Sequence, residues 1–416
     1  MPLLKLDPGE AVKLYGPMHV TLRGGCLDVH GRIVKPGEKF TVHKTRNYVV
    51  VADEASELEV SMIEDSQIQS LDPSDPYLLK IRLVDDALNK GYRKIMVLGC
   101  VDCGKTSLTT ILFNKMISRG LKPVAVDSDV GQADIGPPCF VTMGSSTKQV
   151  YWLSELEPIY MRFIGDNKPQ YYEHAVIYET ILLSNIALSK GYDSIVVDTD
   201  GWVKDESGIL HKVLFIERFK PDAIFVLGEE LQGVFRDLSK VGVGVYELPA
   251  PIHRKTRSRE ERRLLRSLRY SVFLENAGFT KLKMDDLVVI GHPLFTGREV
   301  DANTISQLID GRVIYATGFS GALHIYGVIR GYNVEELKKL GFEKIKVYTP
   351  GFEKNLYCSI GEAGSIDYPC LIEKFNFENR EIVVKTKYTG RARVLKLSRI
   401  KLSENYIEEY LEVGGQ

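Results

Sequence analysis

The residues whose spacing most clearly indicates chemistry form a loop around residue 100. Glycine, lysine and threonine stand there as G-x-x-x-x-G-K-T, after a short apolar run and before a helical pattern. Such glycines let backbone N–H groups turn onto phosphate oxygens, and the helix adds its positive end. The lysine would reach the β- and γ-phosphates, and the threonine would hold Mg²⁺. The predicted nucleotide-binding residues are Gly99, Cys100, Val101, Asp102, Cys103, Gly104, Lys105 and Thr106.

Two cysteines lie inside this loop with the spacing of half a zinc site. We interpret Cys100 and Cys103 as ordinary occupants of variable loop positions, because no second pair lies nearby in the sequence. The six cysteines are scattered along the chain, a distribution that does not indicate a disulfide framework.

A second polar group follows the next predicted strand, in the sequence VAVDSDVGQ. It places Asp127 and Asp129 at the carboxyl end of a strand, the edge where open α/β sheets bind ligands. Two carboxylates there could bind a metal or accept a proton from a nucleophile. One of them could instead cap the following turn, and we rank Asp129 first. Gln132 follows at a position able to orient a substrate or a water molecule.

A third stretch, IVVDTDGW, ends another apolar strand. Asp198 takes the position of a Walker-B-type carboxylate, and Trp202 follows on a loop at the same edge of the sheet. A tryptophan on such a loop could stack on a nucleobase. It could equally pack as a cover over the core, and the sequence leaves both alternatives open.

A fourth stretch is a run of arginines in the sequence SREERRLLRSLRY. Ser258 and Glu261 fit a capping box, which predicts that a helix begins there. Four arginines follow at i, i+3, i+4 and i+7 and therefore share one face of that helix. They could neutralise a transferring phosphoryl group, bind a phosphate backbone, or form a solvated surface. These arginines are Arg259, Arg262, Arg263 and Arg266.

The elements that must position these residues change in character along the 416-residue chain. Short alternating runs separated by turn signals predict a β-rich N-terminal domain over 1–72. Strands alternating with helices predict a P-loop domain with a parallel sheet over 73–283, and its arginine-rich lid spans 253–270. Short strands return over 284–416 as a β-rich C-terminal domain. The predicted class is therefore α/β with β-rich flanks.

Composition excludes some classes of protein. The net charge of −1 means that any nucleic-acid binding must come from a local patch of charge. No apolar run approaches the roughly 18 residues of a membrane span, and the N-terminus lacks a signal-peptide pattern. We therefore expect a cytoplasmic protein that does not act at membranes.

With these stretches in order, the chain resembles the polyribonucleotide 5′-hydroxyl kinases, in particular the archaeal ones. The resemblance covers most of the chain and rests on the phosphate loop, the D-x-D-V-G-Q motif, the T-x-G-W clasp and the lid arginines. One departure concerns the family's hydroxyl-rich F-x-G-S-T-x-P loop. Its equivalent here is FIGDNKP, over residues 163–169, where Asp166 or Asn167 would replace a hydroxyl at the metal.

The resemblance implies transfer of phosphate from ATP or GTP to the 5′-hydroxyl of RNA or DNA, with Mg²⁺ or Mn²⁺. In that family pattern Lys105 stabilises the phosphoryl group, and Asp129 positions or deprotonates the hydroxyl. Thr106, Asp129 and Asp127 would hold the metal. Arg262 and Arg266 would bridge the phosphates. The residues expected to contact nucleic acid are Gln132, Trp202, Arg259 and Arg263.

Two other functions compete with this interpretation. Some relatives in this family act as ATP-binding scaffolds without evident kinase activity, although the intact Lys105, Thr106 and Asp129 argue against that role. A P-loop switch ATPase also carries acidic residues after its second strand. Such ATPases usually have an extra lysine early in the loop, where this chain has Cys100-Val101-Asp102. The sequence identifies no protein partner.

Overall fold

The structure is a computed structural model that describes residues 3–44, 46–249, 256–364 and 366–411. Its N-terminal part consists of strands β1 to β9, whose alternating apolar residues face each other across two sheets. The sheet orders are β1-β8-β3-β6 and β5-β4-β7-β2-β9. The strands are Leu3–Leu6, Ala11–Tyr15, Met18–Gly24, Leu27–Val29, Arg32–Val34, Lys39–Val42, Asn47–Ala52, Ser56–Met62 and Gln67–Ser70.

The central part is a sheet covered by helices. Its strand order is β13-β12-β11-β14-β10-β15-β16. The five strands β11, β14, β10, β15 and β16 run parallel to one another. Strands β10 to β16 are Lys94–Gly99, Pro123–Asp127, Phe140–Ser145, Glu157–Phe163, Ser194–Asp198, Ala223–Leu227 and Gly244–Leu248. Helices α1 to α5 are Pro76–Asn89, Lys105–Ser118, Glu173–Ser189, Glu206–Phe219 and Arg259–Leu274.

One edge of this sheet differs from the prediction of a parallel sheet. Strand β12 pairs antiparallel with β11, and β13 pairs antiparallel with β12. A parallel connection needs a crossover, usually a helix, whereas antiparallel neighbours do not. The segments between these strands carry no α-helix, so the chain returns along the same edge.

The C-terminal part forms two further sheets, with orders β17-β25-β24-β23-β26-β18 and β19-β20-β21-β22. Strands β17 to β22 are Gly278–Lys283, Val288–Ile290, Arg298–Glu299, Ile309–Phe319, Ala322–Tyr332 and Lys344–Tyr348. Strands β23 to β27 are Leu356–Gly361, Asp367–Asn376, Glu381–Thr386, Val394–Leu402 and Glu408–Tyr410. Short helices α6 to α8 are Pro293–Thr296, Ala302–Ser306 and Val334–Lys339.

These sheets confirm the predicted α/β class with β-rich flanks. Strand β17 lies in the C-terminal sheet although it precedes residue 284, so we propose a domain boundary between α5 and β17. The boundary near residue 72 stays a prediction. Within the described ranges, no helix has the length and apolar character needed to cross a bilayer.

Helix α5, which we call the lid helix, lies against the C-terminal sheet. Its capping box is confirmed, because Ser258 and Glu261 each accept a hydrogen bond from the other's backbone N–H. The helix runs to Leu274, beyond the predicted lid segment 253–270, and Tyr270 and Leu274 are buried in a core shared with Tyr357. Residues 253–255 of the predicted lid lie outside the described residues.

Candidate functional site

The phosphate loop, Gly99–Thr106, connects β10 to α2 at the carboxyl edge of the parallel strands. Gly104 adopts φ +88°, the left-handed conformation that favours glycine, and is the N-cap residue of α2. The buried Lys105 ammonium donates a hydrogen bond to the Cys100 carbonyl at 2.9 Å. The lysine therefore folds back over the loop, and its charge lies where a loop-bound phosphate would need it.

The two loop cysteines lie against each other, which corrects our interpretation of them as ordinary loop residues. The sulfur atoms of Cys100 and Cys103 are in contact, and the Cα atoms of the two residues are 5.4 Å apart. Both side chains are fully buried beneath the loop. The expectation from sequence was wrong because CxxC spacing alone does not say whether two side chains point to the same side.

Asp198, at the end of β14, lies beside Thr106. Burial raises the pKa of its carboxyl group to about 7, although Lys105 and a hydrogen bond with Thr106 oppose the shift. In the described part of the chain, its Oδ1 atom is buried without a hydrogen-bond partner. The sequence marked Asp198 as a strand-end carboxylate, yet the predicted metal-binding set omitted it.

The structure separates the two aspartates of the D-x-D motif. Both carboxylate oxygens of Asp127 accept backbone hydrogen bonds, Oδ1 from Asp129 at 3.2 Å and Oδ2 from Asp134 and Ile135 at 2.6 and 3.0 Å. Asp127 therefore holds the following loop in place. Asp129 instead lines the central cavity, and its Oδ1 atom accepts the N–H groups of Gly131 and Gln132.

A cavity of about 1260 Å³ lies between the phosphate loop, the N-terminal sheets and the lid helix. The predicted site residues that line it are Val101, Asp102, Gly104, Lys105, Thr106, Asp129, Gln132, Trp202, Arg262 and Arg266. Among the residues with described positions, the lining does not include Gly99, Cys100, Cys103, Asp127, Arg259 or Arg263. A volume of this size suits a nucleotide together with the end of a second substrate.

A buried network of charged residues, Asp200, Lys212 and His211, supports the clasp loop, residues 199–202. Burial alone would raise the pKa of Asp200, but the Lys212 ammonium at 2.6 Å and His211 hold that pKa well below its usual range. Asp200 also accepts the backbone N–H of Trp202 at 2.9 Å. The indole ring is half-buried, lines the cavity and donates to Asp205. The network therefore orients Trp202.

The clasp loop packs directly on the phosphate loop. A Cβ atom at Gly201 would lie 2.6 Å from Val101 Cγ2 and 2.8 Å from the Val101 backbone nitrogen. We therefore expect Gly201→Ala to displace the loop and weaken ATP binding at least about tenfold, as overpacking costs about 1–3 kcal/mol. Titration with a fluorescent ATP analogue measures this. The matched control is Gly278→Ala, where a Cβ meets nothing within 4 Å, and equal affinity in both variants would contradict the prediction.

The lid arginines divide between two acidic partners. Arg262 donates to Asp102 of the phosphate loop at 3.1 Å, and Arg257, not singled out in the sequence, makes the same contact at 3.4 Å. Arg266 instead forms a two-pronged ion pair with Glu408, with distances of 2.8 to 3.0 Å. Arg263 donates to the Glu408 carbonyl at 2.6 Å. The predicted roles of these arginines stay predictions, and their contacts in the structure differ from one arginine to the next.

Arg266 lines the cavity, but its ion pair is with the C-terminal strand and not with the phosphate loop. It was expected to bridge phosphates, but its guanidinium is committed to Glu408, which also accepts the Tyr270 hydroxyl at 2.8 Å. Arg263 was expected to contact nucleic acid and instead secures the same strand. Arg259 is exposed and lies outside the cavity lining. Of the four predicted lid arginines, Arg262 is the one whose described contacts include the phosphate loop.

Lys80 on α1 lines the cavity although only 3% of its surface is exposed. Burial lowers the pKa of its ammonium to about 8, and Asp75 opposes that shift only in part. The pKa of Lys80 is lower in the folded state than its unfolded value of 10.5, so the buried charge destabilises the fold. This loss of stability is fully present below pH 8 and disappears as the pH rises to 10.5.

Replacing this lysine should therefore stabilise the fold in a pH-dependent manner. We expect Lys80→Met to raise the free energy of unfolding by about 3 kcal/mol at pH 7 and by much less at pH 10. Urea denaturation at both pH values measures this. The control is Lys13→Met, a half-buried lysine of the same cavity, which should change stability by less than about 1 kcal/mol. An unstabilised Lys80→Met at pH 7 would contradict the assignment.

Two solved structures with a similar fold are of Clp1p. Clp1p in a wild-type complex with Pcf11p aligns with a TM-score of 0.61 at 14% identity, covering 96% of this chain and 97% of that chain. A second Clp1p structure, of its extended interface with Pcf11p, aligns with the same TM-score at 13% identity. At these identities the likeness concerns the fold.

Sequence comparison identifies the family. The P-loop model of the mRNA cleavage and polyadenylation factor CLP1 matches residues 99–276. A polyribonucleotide 5′-hydroxyl-kinase of Pyrococcus furiosus is 31% identical over 326 residues, covering 75% of this chain and 88% of the relative. One of Methanocaldococcus jannaschii is 27% identical with the same coverage. The phosphate loop, the aspartates at the strand ends, the clasp and the lid thus belong to a member of the polyribonucleotide 5′-hydroxyl-kinase family.

Proposed function

We propose that this protein transfers the γ-phosphoryl group of ATP or GTP to the 5′-hydroxyl of RNA. The observation that carries the proposal is the position of Asp129, which lines the nucleotide cavity and interacts electrostatically with the Lys105 ammonium. With a nucleotide bound to the loop, a carboxylate there would be available to an acceptor hydroxyl that approaches the γ-phosphate. The named activity of the Pyrococcus and Methanocaldococcus relatives supports the same choice.

The donor half of the reaction depends on the phosphate loop. Its backbone N–H groups and the N-terminus of α2 would bind the β- and γ-phosphates. Lys105 would leave the Cys100 carbonyl and neutralise charge on the transferring group. Arg262 would exchange its contact with Asp102 for one with the γ-phosphate. It would then place a second positive charge beside the negative charge that develops on the transferring phosphoryl group.

The residues beside Lys105 fit a divalent cation. Mg²⁺ prefers oxygen ligands, and the buried Oδ1 atom of Asp198 lies beside the Thr106 hydroxyl without a partner among the described residues. We propose Thr106, Asp198 and Asp129 as the residues that would hold it, in place of Asp127. When bound, the cation would offset the charge of the β- and γ-phosphates.

The acceptor half depends on Asp129 and the clasp. Burial raises the pKa of the Asp129 carboxyl group, and Lys105 opposes that shift. A bound cation would oppose it further. A ribose hydroxyl is a very weak acid, so Asp129 would take its proton only as the O–P bond forms. Positioning of the hydroxyl would therefore supply most of the rate enhancement.

A direct transfer assay tests the proposal. The protein is incubated with γ-labelled ATP, Mg²⁺ and a short 5′-hydroxyl RNA, and label is measured at the RNA 5′ end. The same RNA with a 5′-phosphate is the matched control, and a 5′-hydroxyl DNA tests whether ribose is required. Nucleotide binding without transfer would favour the scaffold alternative, and ATP hydrolysis that no RNA affects would favour the switch ATPase. A cytoplasmic location stays a prediction.

Trp202 provides a separate test of the acceptor half. Replacing the indole with a methyl group removes a stacking surface worth about 1–3 kcal/mol per base. We therefore expect Trp202→Ala to raise the KM for a 5′-hydroxyl oligonucleotide at least about fivefold and to leave the KM for ATP within about twofold. Steady-state kinetics in both substrates measures the two constants. An unchanged oligonucleotide KM would assign Trp202 a packing role.

A further inference from the structure

We propose that Cys100 and Cys103 form a disulfide in the active protein and that this bond keeps the phosphate loop in its nucleotide-binding shape. The proposal goes beyond the transfer reaction, because it concerns a covalent modification of the loop itself. It also concerns nucleotide binding alone, so measurements of ATP affinity can test it without any assay of transfer to RNA.

The backbone of the loop places the two cysteines at the spacing that a disulfide requires. Their Cα atoms are 5.4 Å apart, inside the usual range of about 4.4–6.8 Å. The Cys103 N–H donates to the Cys100 carbonyl at 3.4 Å, so a turn joins the two residues. Both side chains point beneath the loop and are fully buried. A buried disulfide of this kind is protected from reductants as long as the fold stays closed.

A second pair of cysteines lies in contact in the C-terminal sheet, and these two are free thiols. Cys358 and Cys370 lie directly opposite each other on β23 and β24, and their sulfur atoms are 2.6 Å apart. Four of the six cysteines are therefore paired in space, although they are scattered in the sequence. The two others, Cys26 and Cys139, have no cysteine beside them in the described structure.

The ring closed by the disulfide contains a non-glycine residue with a positive φ. Asp102 adopts φ +60°, a conformation that non-glycine residues rarely take. Its carboxylate accepts hydrogen bonds from Arg257 and Arg262. A closed ring holds Asp102 in this conformation before nucleotide arrives, so less ordering is required on binding. By loop-closure entropy, we expect loss of the bond to weaken ATP binding about tenfold.

The bond can form by thiol–disulfide exchange with a low-molecular-weight disulfide, RSSR. One cysteine thiolate attacks RSSR, forms a mixed disulfide and releases RS⁻. The second thiolate then attacks the loop sulfur of that mixed disulfide and releases a second RS⁻. The two cysteine protons end on the two RSH molecules, and the two electrons lost by the protein reduce RSSR.

A metal site is the competing use of the same sulfurs. The ligand atoms of Cys100, Cys103 and Glu230 lie within 4.8 Å of one another. Two thiolates and a carboxylate could bind Zn²⁺, which would require both cysteines to be reduced. The test must therefore separate a disulfide from a zinc thiolate and from free thiols.

Mass spectrometry decides the chemical state of the loop. The full-length protein, purified without reductant, is alkylated in denaturant and digested with trypsin, which releases residues 95–105 as one peptide with both cysteines. We expect this peptide to carry no alkyl group and to weigh two hydrogen atoms less than the dithiol form. After treatment with a phosphine, which reduces the disulfide, both cysteines should be alkylated. Two alkylated cysteines without the phosphine, or zinc released on denaturation, would overturn the proposal.

Nucleotide affinity decides whether the bond matters. ATP-analogue affinity is compared for the native protein, the reduced protein with its thiol state confirmed by mass, and Cys100→Ser/Cys103→Ser. We expect about tenfold weaker binding in the last two, and Cys26→Ser, outside the cavity, should bind as the native protein does. Native-like affinity in the reduced protein would overturn the proposal even if the double variant fails to fold.

Discussion

Asp129→Asn is expected to lower the rate of phosphoryl transfer at least about 10³-fold while the affinity for ATP changes by less than about threefold. Asparagine keeps the size of the side chain and can still accept the N–H groups of Gly131 and Gln132. It removes the negative charge and the ability to take a proton. The loss should therefore appear in the chemical step, which single-turnover transfer to a 5′-hydroxyl RNA measures.

The matched control is the same substitution two residues earlier. Asp127 accepts three backbone N–H groups and lies outside the cavity lining as far as the structure describes it. Asp127→Asn should chiefly reduce the free energy of unfolding, by about 1–3 kcal/mol, because an amide N–H₂ group then faces those donors. If Asp127→Asn abolished transfer in a stably folded protein and Asp129→Asn did not, the two roles would be reversed.

Arg262→Ala should lower phosphoryl transfer by about 10³-fold, the lower end of the range for arginines that stabilise a transferring phosphoryl group. Its guanidinium lies 3.1 Å from Asp102 and is the predicted lid group held at the phosphate loop. Most of the loss should fall on kcat, because the charge that Arg262 offsets grows during transfer. Steady-state kinetics at saturating RNA measures it.

Arg263→Ala is the control on the neighbouring position of the lid helix. Arg263 contacts the Glu408 carbonyl and lies outside the described cavity lining. We expect the Arg263→Ala substitution to reduce kcat by less than about tenfold. A larger loss in Arg263→Ala than in Arg262→Ala would show that the lid presents a different face to the nucleotide.

The features that the sequence predicted well are local. The phosphate loop needs glycines at fixed offsets, and a capping box needs two residues three positions apart, so both can be read from a short window. The strand-end aspartates were found for a related reason. Buried parallel strands are apolar runs, and an acid directly after one marks the ligand edge of the sheet.

The features that were missed depend on residues far apart in the chain. The ion pair between Arg266 and Glu408 could not be predicted, because Glu408 lies 142 positions further on in the chain. Nothing near Lys80 in the sequence indicated that it would be buried at the cavity. The strand-end pattern did identify Asp198, but the choice between it and Asp127 as a metal ligand required knowing which carboxylate the backbone already occupies.

The contact between Glu408 and Arg266 has a consequence beyond the position of one arginine. The lid helix is bonded on one side to β27 of the C-terminal sheet and on another, through Arg262, to the phosphate loop. The lid helix therefore connects these two surfaces physically. Any ligand of the C-terminal sheet that shifts Glu408 would change nucleotide affinity by some factor, and nucleotide would change the affinity for that ligand by the same factor.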